Sequence, residues 1–239
     1  LVSKEVDSVV GPGLAALAER KGSVVTPVDG DQPSLLIDLI TWAETLGFEI
    51  VAAGKSSEYD FVYDAAAGTL ASNGRTVEAP EFGRWSELGL RDVAEVVAGR
   101  AAAAAMLPQR AVPDLCELSV VANATGYGVD APALHAPIAR ITEVPSILCE
   151  RAKGGVMGAT GKLDVFHCLR APGEVSFAGG VFVILRCNDA ETWDMLKEKG
   201  HVVARTGDVA MIFNPRHLLG LEAATSILEA GLIGRGTGG

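Results

Sequence analysis

Two hydrophobic periods divide the chain, with helical spacing prevailing early and short apolar runs prevailing after Gly154. Leu35, Leu36, Leu39, Ile40 and Ala43 recur every three or four residues with Asp38 and Thr41 between them. This predicts a helix over 34–46, launched by Asp29-Gly-Asp-Gln-Pro33 and stopped by Gly47. The alanine-rich run 90–106 and the segment 114–124, opened by Pro113 and closed by Gly126, predict two more helices. Residues 1–2 and 6–10 read as extended. Gly11-Pro-Gly13 then breaks the chain, and a short helix starts at Leu14 and stops at Gly22. The β-branched content of 23–28 and the apolar run 48–53 predict buried strands, the second delivering Gly54-Lys-Ser-Ser-Glu-Tyr-Asp60 as a loop. Residues 65–88, rich in Gly, Pro, Asn and Ser, predict a long surface excursion. Later strands are expected at 156–157, 163–169, 181–187 and 209–213, with Gly179-Gly180 as a turn. A helix over 189–199 has Asp189 as its cap, Trp193 and Leu196 facing inward and Gly200 as its stop, and a last helix covers 217–230. Helices first and strands later, with few clean alternations, predict an α/β chain of the α+β type: a mixed or antiparallel sheet covered by helices.

Composition narrows the function classes. Of 239 residues, 49% are apolar, and 20 Lys and Arg stand against 30 Asp and Glu, a net charge of −10. That balance disfavours nucleic-acid and anionic-membrane partners, which draw on a local excess of Lys and Arg. Charge interrupts every apolar run well short of a membrane span, and no basic stretch leads into an apolar signal segment. Cys116, Cys149, Cys168 and Cys187 form no C-x-x-C pair, so reduced thiols in a cytoplasmic protein are expected and no metal site is assigned. The chain opens without Met and closes on glycine-rich 231–239, which reads as a linker in a longer protein.

Two polar corners carry the sharpest chemistry. Asp29 and Asp31 follow one expected strand; Lys55, Ser56, Ser57, Glu58 and Asp60 follow the next. Convergent, they could polarise a carbonyl, hold a phosphate, relay protons or bind a hard cation such as Mg²⁺. As plain polar turns they would only cap backbone groups, and pattern alone leaves the two readings level. Ser3-Lys4-Glu5 is weaker, more simply a solvated charge pair. Gly11-Pro-Gly13-Leu-Ala-Ala16 fits a dinucleotide fingerprint, but a Gly-Pro helix start explains it better, since proline removes an amide that the pyrophosphate would use. Asn123, Asp130 and His135 could touch a substrate or satisfy loop backbone; His167, His201 and His217 stand singly and read as structural.

Several stretches are familiar: 30–37, Trp42-Ala43, 46–51, Ala53-Gly-Lys55, Pro113-Asp-Leu-Cys-Glu117, Asn123-Ala-Thr-Gly126, 176–182, Lys199-Gly-His201 and Pro215-Arg-His-Leu218. In these the chain resembles the homoserine-dehydrogenase-like oxidoreductases with a C-terminal SAF domain, a group that includes deoxyxylulose-phosphate-reductoisomerase-like enzymes. The resemblance implies the fold of the catalytic and dimerisation domain of homoserine dehydrogenase over 1–230, with residues 1–10 similar to the end of a Rossmann domain. It implies hydride transfer to or from a small hydroxy or keto substrate with NADP or NAD, held mainly by a domain outside this sequence, and it allows a divalent metal. Lys55, Asp31 and Lys4 become the catalytic candidates, and Asp29, Gln32, Ser56, Ser57, Glu58 and Asn123 the substrate contacts. Ser3, Lys4, Pro215 and Arg216 fall beside the cofactor; Ser3-Lys4 stands where relatives have an Asn-Lys pair. A homodimer or higher oligomer is expected. The alternative is a non-catalytic ligand-binding or oligomerisation module of the same fold. With no cofactor cradle of its own, the isolated chain is expected not to oxidise NADPH.

Overall fold

A computed structural model of the chain describes residues 3–187 and 189–236. In chain order, α1 (Lys4–Lys21) and α2 (Gln32–Thr45) lead into β1 (Glu49–Ser56), followed by the meander β2 (Phe61–Asp64), β3 (Thr69–Ser72) and β4 (Arg75–Glu78). A 3-10 turn (Pro80–Trp85), α3 (Val93–Ala103) and α4 (Val112–Thr125) come next, then the short strands β5 (Gly128–Val129) and β6 (Ile138–Ala139) and the single-turn α5 (Val144–Ile147). The chain ends with β7 (Lys162–Arg170), β8 (Val181–Arg186), α6 (Ala190–Glu198), β9 (Val202–Val203), β10 (Val209–Asn214), α7 (Ala223–Leu228) and a π turn (Glu229–Ile233).

The ten strands form one mixed sheet, as the pattern of elements predicts. At its centre β1 runs parallel to β7 and antiparallel to β8, with Lys55 opposite Val165 on one side and Val181 on the other. β7 also pairs in parallel with β2, β5 and β6, and β8 continues antiparallel into β10 and β9. One face buries Val51, Phe166, Phe182, Ile184 and Met211 under Val93 and Val96 of α3 and Val144 and Ile147 of α5. The other buries Ala53, Leu163, Val165, Val183 and Leu185 under α2, α4 and Trp193 of α6. A smaller cluster around Phe61, Leu70, Phe82 and Leu107 fills the meander end. Among the described residues no helix is long and apolar enough to cross a membrane.

Several expected elements are replaced by others, each for a local physical reason. Residues 6–10 are helical rather than extended, and α1 runs straight through Gly11-Pro-Gly13. Proline cannot donate to the carbonyl four residues back, which normally breaks a helix. Here that carbonyl belongs to Ser8, and Asn123 Nδ2 of α4 donates to it at 3.0 Å instead. We therefore expect Asn123→Ala to cost about 1 kcal/mol in the native chain and almost nothing in a Pro12→Ala background, where the backbone bond is restored. Chemical denaturation of the four proteins in this double-mutant cycle measures the difference.

Residues 23–28 are irregular, not a strand: they pack between helices rather than beside another strand, and Pro27 removes one donor. Gly54, Lys55 and Ser56 lie within β1 rather than in a loop. A Cβ on Gly54 would sit 1.9 Å from the Asp164 carbonyl, so glycine lets β1 run on, clamped between its neighbours. The excursion over 65–88 is a hairpin and a 3-10 turn that bury Leu70, Phe82 and Leu88. Of the strand expected at 156–157, only a single bridge from Met157 to Glu150 forms. The last helix is confined to α7 and its π turn. Asp189 precedes α6 without a capping bond to backbone, accepting from the Thr192 hydroxyl at 2.5 Å. Residues 1–2 and 237–239 of the expected first strand and linker lie outside the described residues.

Candidate active site

Alternation along β1 puts Ala53, Lys55 and Ser57 on the face beneath α4. Lys55 is only 1% exposed. An isolated ammonium at that depth would be very unfavourable, and α4 supplies the compensation. Lys55 Nζ donates to Asp114 Oδ1 at 2.8 Å and to Glu117 Oε2. Ser57 Oγ donates to Asp114 Oδ2 at 2.7 Å. The other oxygen of Glu117 accepts from Lys4 Nζ of α1, which also lies 3.8 Å from Asp31 Oδ1. Two ammonium groups and three carboxylates thus join three helices and the central strand in one charged network.

The network grades from dry to wet. The Lys55 and Glu117 side chains are nearly inaccessible, whereas those of Asp31 and Lys4 keep 17% and 32% of their surface. Burial of Lys4 works against its charge, but the Glu117 hydrogen bond and the charges of Glu117, Asp31 and Glu5 prevail and raise its pKa above the ordinary lysine value. Lys4 is therefore a cation at neutral pH. Asp31 also caps α2, accepting from Gln32 N at 2.9 Å, and Gln32 Nε2 donates to the Ser56 carbonyl at 3.1 Å. In this way α2 is pinned to the end of β1.

Not all the expected residues converge. Asp31, Lys55, Lys4, Gln32, Ser56 and Ser57 come together. Glu58 is exposed and lines a neighbouring cavity, and Asp29 is spent locally, its Oδ1 accepting from Ser34 Oγ at 2.8 Å. Asn123 lies two turns beyond Glu117 on α4, engaged with Ser8. Ser3 precedes α1 without a side-chain capping bond. Pro215 and Arg216 follow β10, with Arg216 Nε 3.0 Å from Glu222 Oε1. A Cβ on Gly30 (φ +83°) would lie 2.7 Å from the Leu218 carbonyl, so the segment after Arg216 returns to the Gly30–Asp31 turn.

Asp114 and Glu117 are the functional candidates that sequence reasoning passed over. Their signal was available: two acids three residues apart on the helix stripe that carries Leu118 and Val121, where apolar side chains belong. Cys149 and Cys168 contribute no nucleophile here. Burial pushes the thiols of Cys149 to about 11 and Cys168 to about 12, well above neutral pH.

Two groups implied by the resemblance can be tested against these residues. All four oxygens of Asp114 and Glu117 already accept from Lys55, Lys4 or Ser57, so the ammonium groups stand where a divalent cation would, and the donor set does not fit one. Among the described residues no group of three His, Cys, Asp or Glu side chains is arranged to hold a metal. The Gly11-Pro-Gly13 stretch offers no pyrophosphate cradle: both glycines are interior to α1, away from a helix N-terminus where free amides could bind pyrophosphate.

Comparison with known protein families matches residues 30–82 and 111–223 to the family described as oxidoreductase DRL, catalytic domain. The chain belongs to this family. The match takes in α2, β1 and α4, and so Asp31, Lys55, Asp114 and Glu117, while Lys4 lies before it. It is interrupted over 83–110, which holds α3. No curated protein matches the chain.

Proposed function

We propose that the Lys55 network is the substrate-oxygen site of a nicotinamide-dependent oxidoreductase acting on a small hydroxy or keto compound. The observation that carries this reading is the buried Lys55 ammonium, gripped by Asp114 and Glu117 at the end of the central parallel strand, beside the more open Lys4. Bound nicotinamide, NADP or NAD, would supply or accept the hydride.

The chain's own residues handle the oxygen. When a carbonyl becomes an alcohol, its oxygen gathers negative charge and takes up a proton; a pre-oriented ammonium stabilises the charge without reorganising. Two of the three N–H donors of Lys55 are used on carboxylates, which fixes where the third points. Lys4, a cation at the wet edge, can pass the proton to the oxygen and recover it from water. Asp31 and Glu117 keep Lys4 charged and in place. In the oxidative direction Lys4 first gives its proton to water and then takes up the one the alcohol releases.

The test uses a longer protein that includes this chain together with its cofactor-holding region, assayed for NADPH oxidation or NADP reduction against a panel of hydroxy and keto compounds. Lys4→Ala should lower kcat roughly a hundredfold at saturating substrate, the scale of losing one oxyanion donor. Unchanged turnover in that variant would overturn the role given to Lys4.

A further inference from the structure

Asp164 of β7 is a fully buried acid that the oxygen chemistry leaves unused. Its partners are backbone amides: Oδ1 accepts from Ala136 N at 2.9 Å and Val165 N at 2.8 Å, and Oδ2 from His135 N at 3.0 Å. Two of these amides belong to a strained turn. Leu134 and Ala136 have φ of +58° and +43°, and with Asn73 they are the non-glycine residues of positive φ among the described residues. A side chain crowds the backbone in that region, so the conformation persists only where the surroundings impose it. The Asp164 carboxylate does so from inside, and the next carbonyl along, that of Pro137, is fixed by His167 N at 2.8 Å.

The turn lies under the helix that carries the acids of the site. Leu134 and Ala136 are buried in one cluster with Leu118 and Val121 of α4 and Leu163 and Val165 of β7. Leu118 directly follows Glu117. The main chain of Asp164 meets the other half of the network: it stands opposite Gly54 in the β1–β7 register, its carbonyl filling the place of a Gly54 Cβ. One residue therefore touches the strand that bears Lys55 through its backbone, and through its side chain holds a support of the helix that bears Asp114 and Glu117.

We infer that Asp164 is a positioning residue for the oxygen site: by holding the 134–136 turn in its left-handed form it sets the seat of α4 over β1, and with it the grip of Glu117 on Lys55 and Lys4. The effect on turnover rests on the substrate-oxygen reading of the network; the effect on the seat of α4 does not.

Lys4 reports that seat without any turnover. Glu117 of α4, Asp31 of α2 and Glu5 of α1 itself favour its charge, and Lys55 lies on the far side of Glu117. Lysine-selective ¹³C NMR of the chain, titrated with base, should give a Lys4 midpoint about half a pH unit lower in Asp164→Asn, the scale of weakening one partly exposed ion pair. Asparagine keeps the shape but turns an NH₂ donor toward amides that need an acceptor, so the turn relaxes. Adding Ala136→Gly should restore the midpoint, because glycine takes a positive φ without being held there; a general loss of packing would not be rescued in this way. In the longer protein, kcat of Asp164→Asn should fall roughly ten- to a hundredfold, and the alkaline limb of its pH profile should move down with the Lys4 midpoint. An unchanged midpoint in Asp164→Asn would overturn the inference. Should that variant not fold, the double variant decides: it should fold with the native midpoint, and failure to do so is equally fatal. A midpoint that moves and is rescued while turnover stays native would instead count against the oxygen-site reading, so the two failures are told apart.

Discussion

Replacing Lys55 with methionine is expected to destabilise the chain by about 3–5 kcal/mol, the usual cost of removing one partner from a buried ion pair. Two carboxylates, Asp114 and Glu117, would be left in a site where water scarcely reaches, and only Lys4 and the Ser57 hydroxyl would remain to answer them. Methionine matches the stem of lysine, so lost packing does not confuse the result. Adding Asp114→Asn and Glu117→Gln should recover much of the loss, because the uncompensated charge is then gone. Denaturant midpoints of the single and triple variants measure this directly, and an unchanged midpoint in the single variant would show that the buried pair does not hold the fold. In the longer protein, the triple variant should fold and yet turn over about 10²–10⁴-fold more slowly, which separates the chemical role of the network from its structural one.

A comparable loss, again about 3–5 kcal/mol, is expected from Arg100→Met. Arg100 is completely buried and ties distant segments together: Nε donates to the Trp85 carbonyl at 2.7 Å, Nη1 to the Ile138 carbonyl at 3.0 Å, and the pair Nη1 and Nη2 to Glu143 at 2.6 and 3.0 Å. Glu143 in turn accepts from Leu88 N and Arg140 N. The guanidinium therefore closes a knot between α3 and the loops on either side of it, and its loss strands two carbonyls and a carboxylate together. Lysine cannot reproduce the planar fork, so Arg100→Lys should recover little. Thermal unfolding of both variants tests this; a lysine variant as stable as the native chain would refute it.

How much of this could be read from the sequence depends on whether the deciding interaction is local. α2 was legible because its apolar spacing, its Asp31 cap and Pro33 all lie within one short segment. So were β7, β8 and β10, whose apolar runs are long. α1 was not, because what rescues Pro12 is an asparagine more than a hundred residues away. The β3–β4 hairpin could have been found: Asn73-Gly74 has the positive φ pair of a tight turn, at +48° and +70°, and Leu70 and Ser72 alternate inward before it. The many small and polar residues around it hid that signal. For the site, Asp31 and Lys55 were legible as polar corners, but their link through Glu117 depends on α4 lying over the sheet, which no spacing reveals.

α1 has a single buried residue, Ala18, yet it carries the lysine at the open edge of the network. The helix that completes the site is therefore held to the body of the molecule chiefly through its packing on α4. Separating it from α4 would withdraw Lys4 and leave Glu117 half-answered. Competence of the site is thus coupled to how one helix seats on its neighbour, and anything that grips or releases its outer surface would act on the chemistry from a distance.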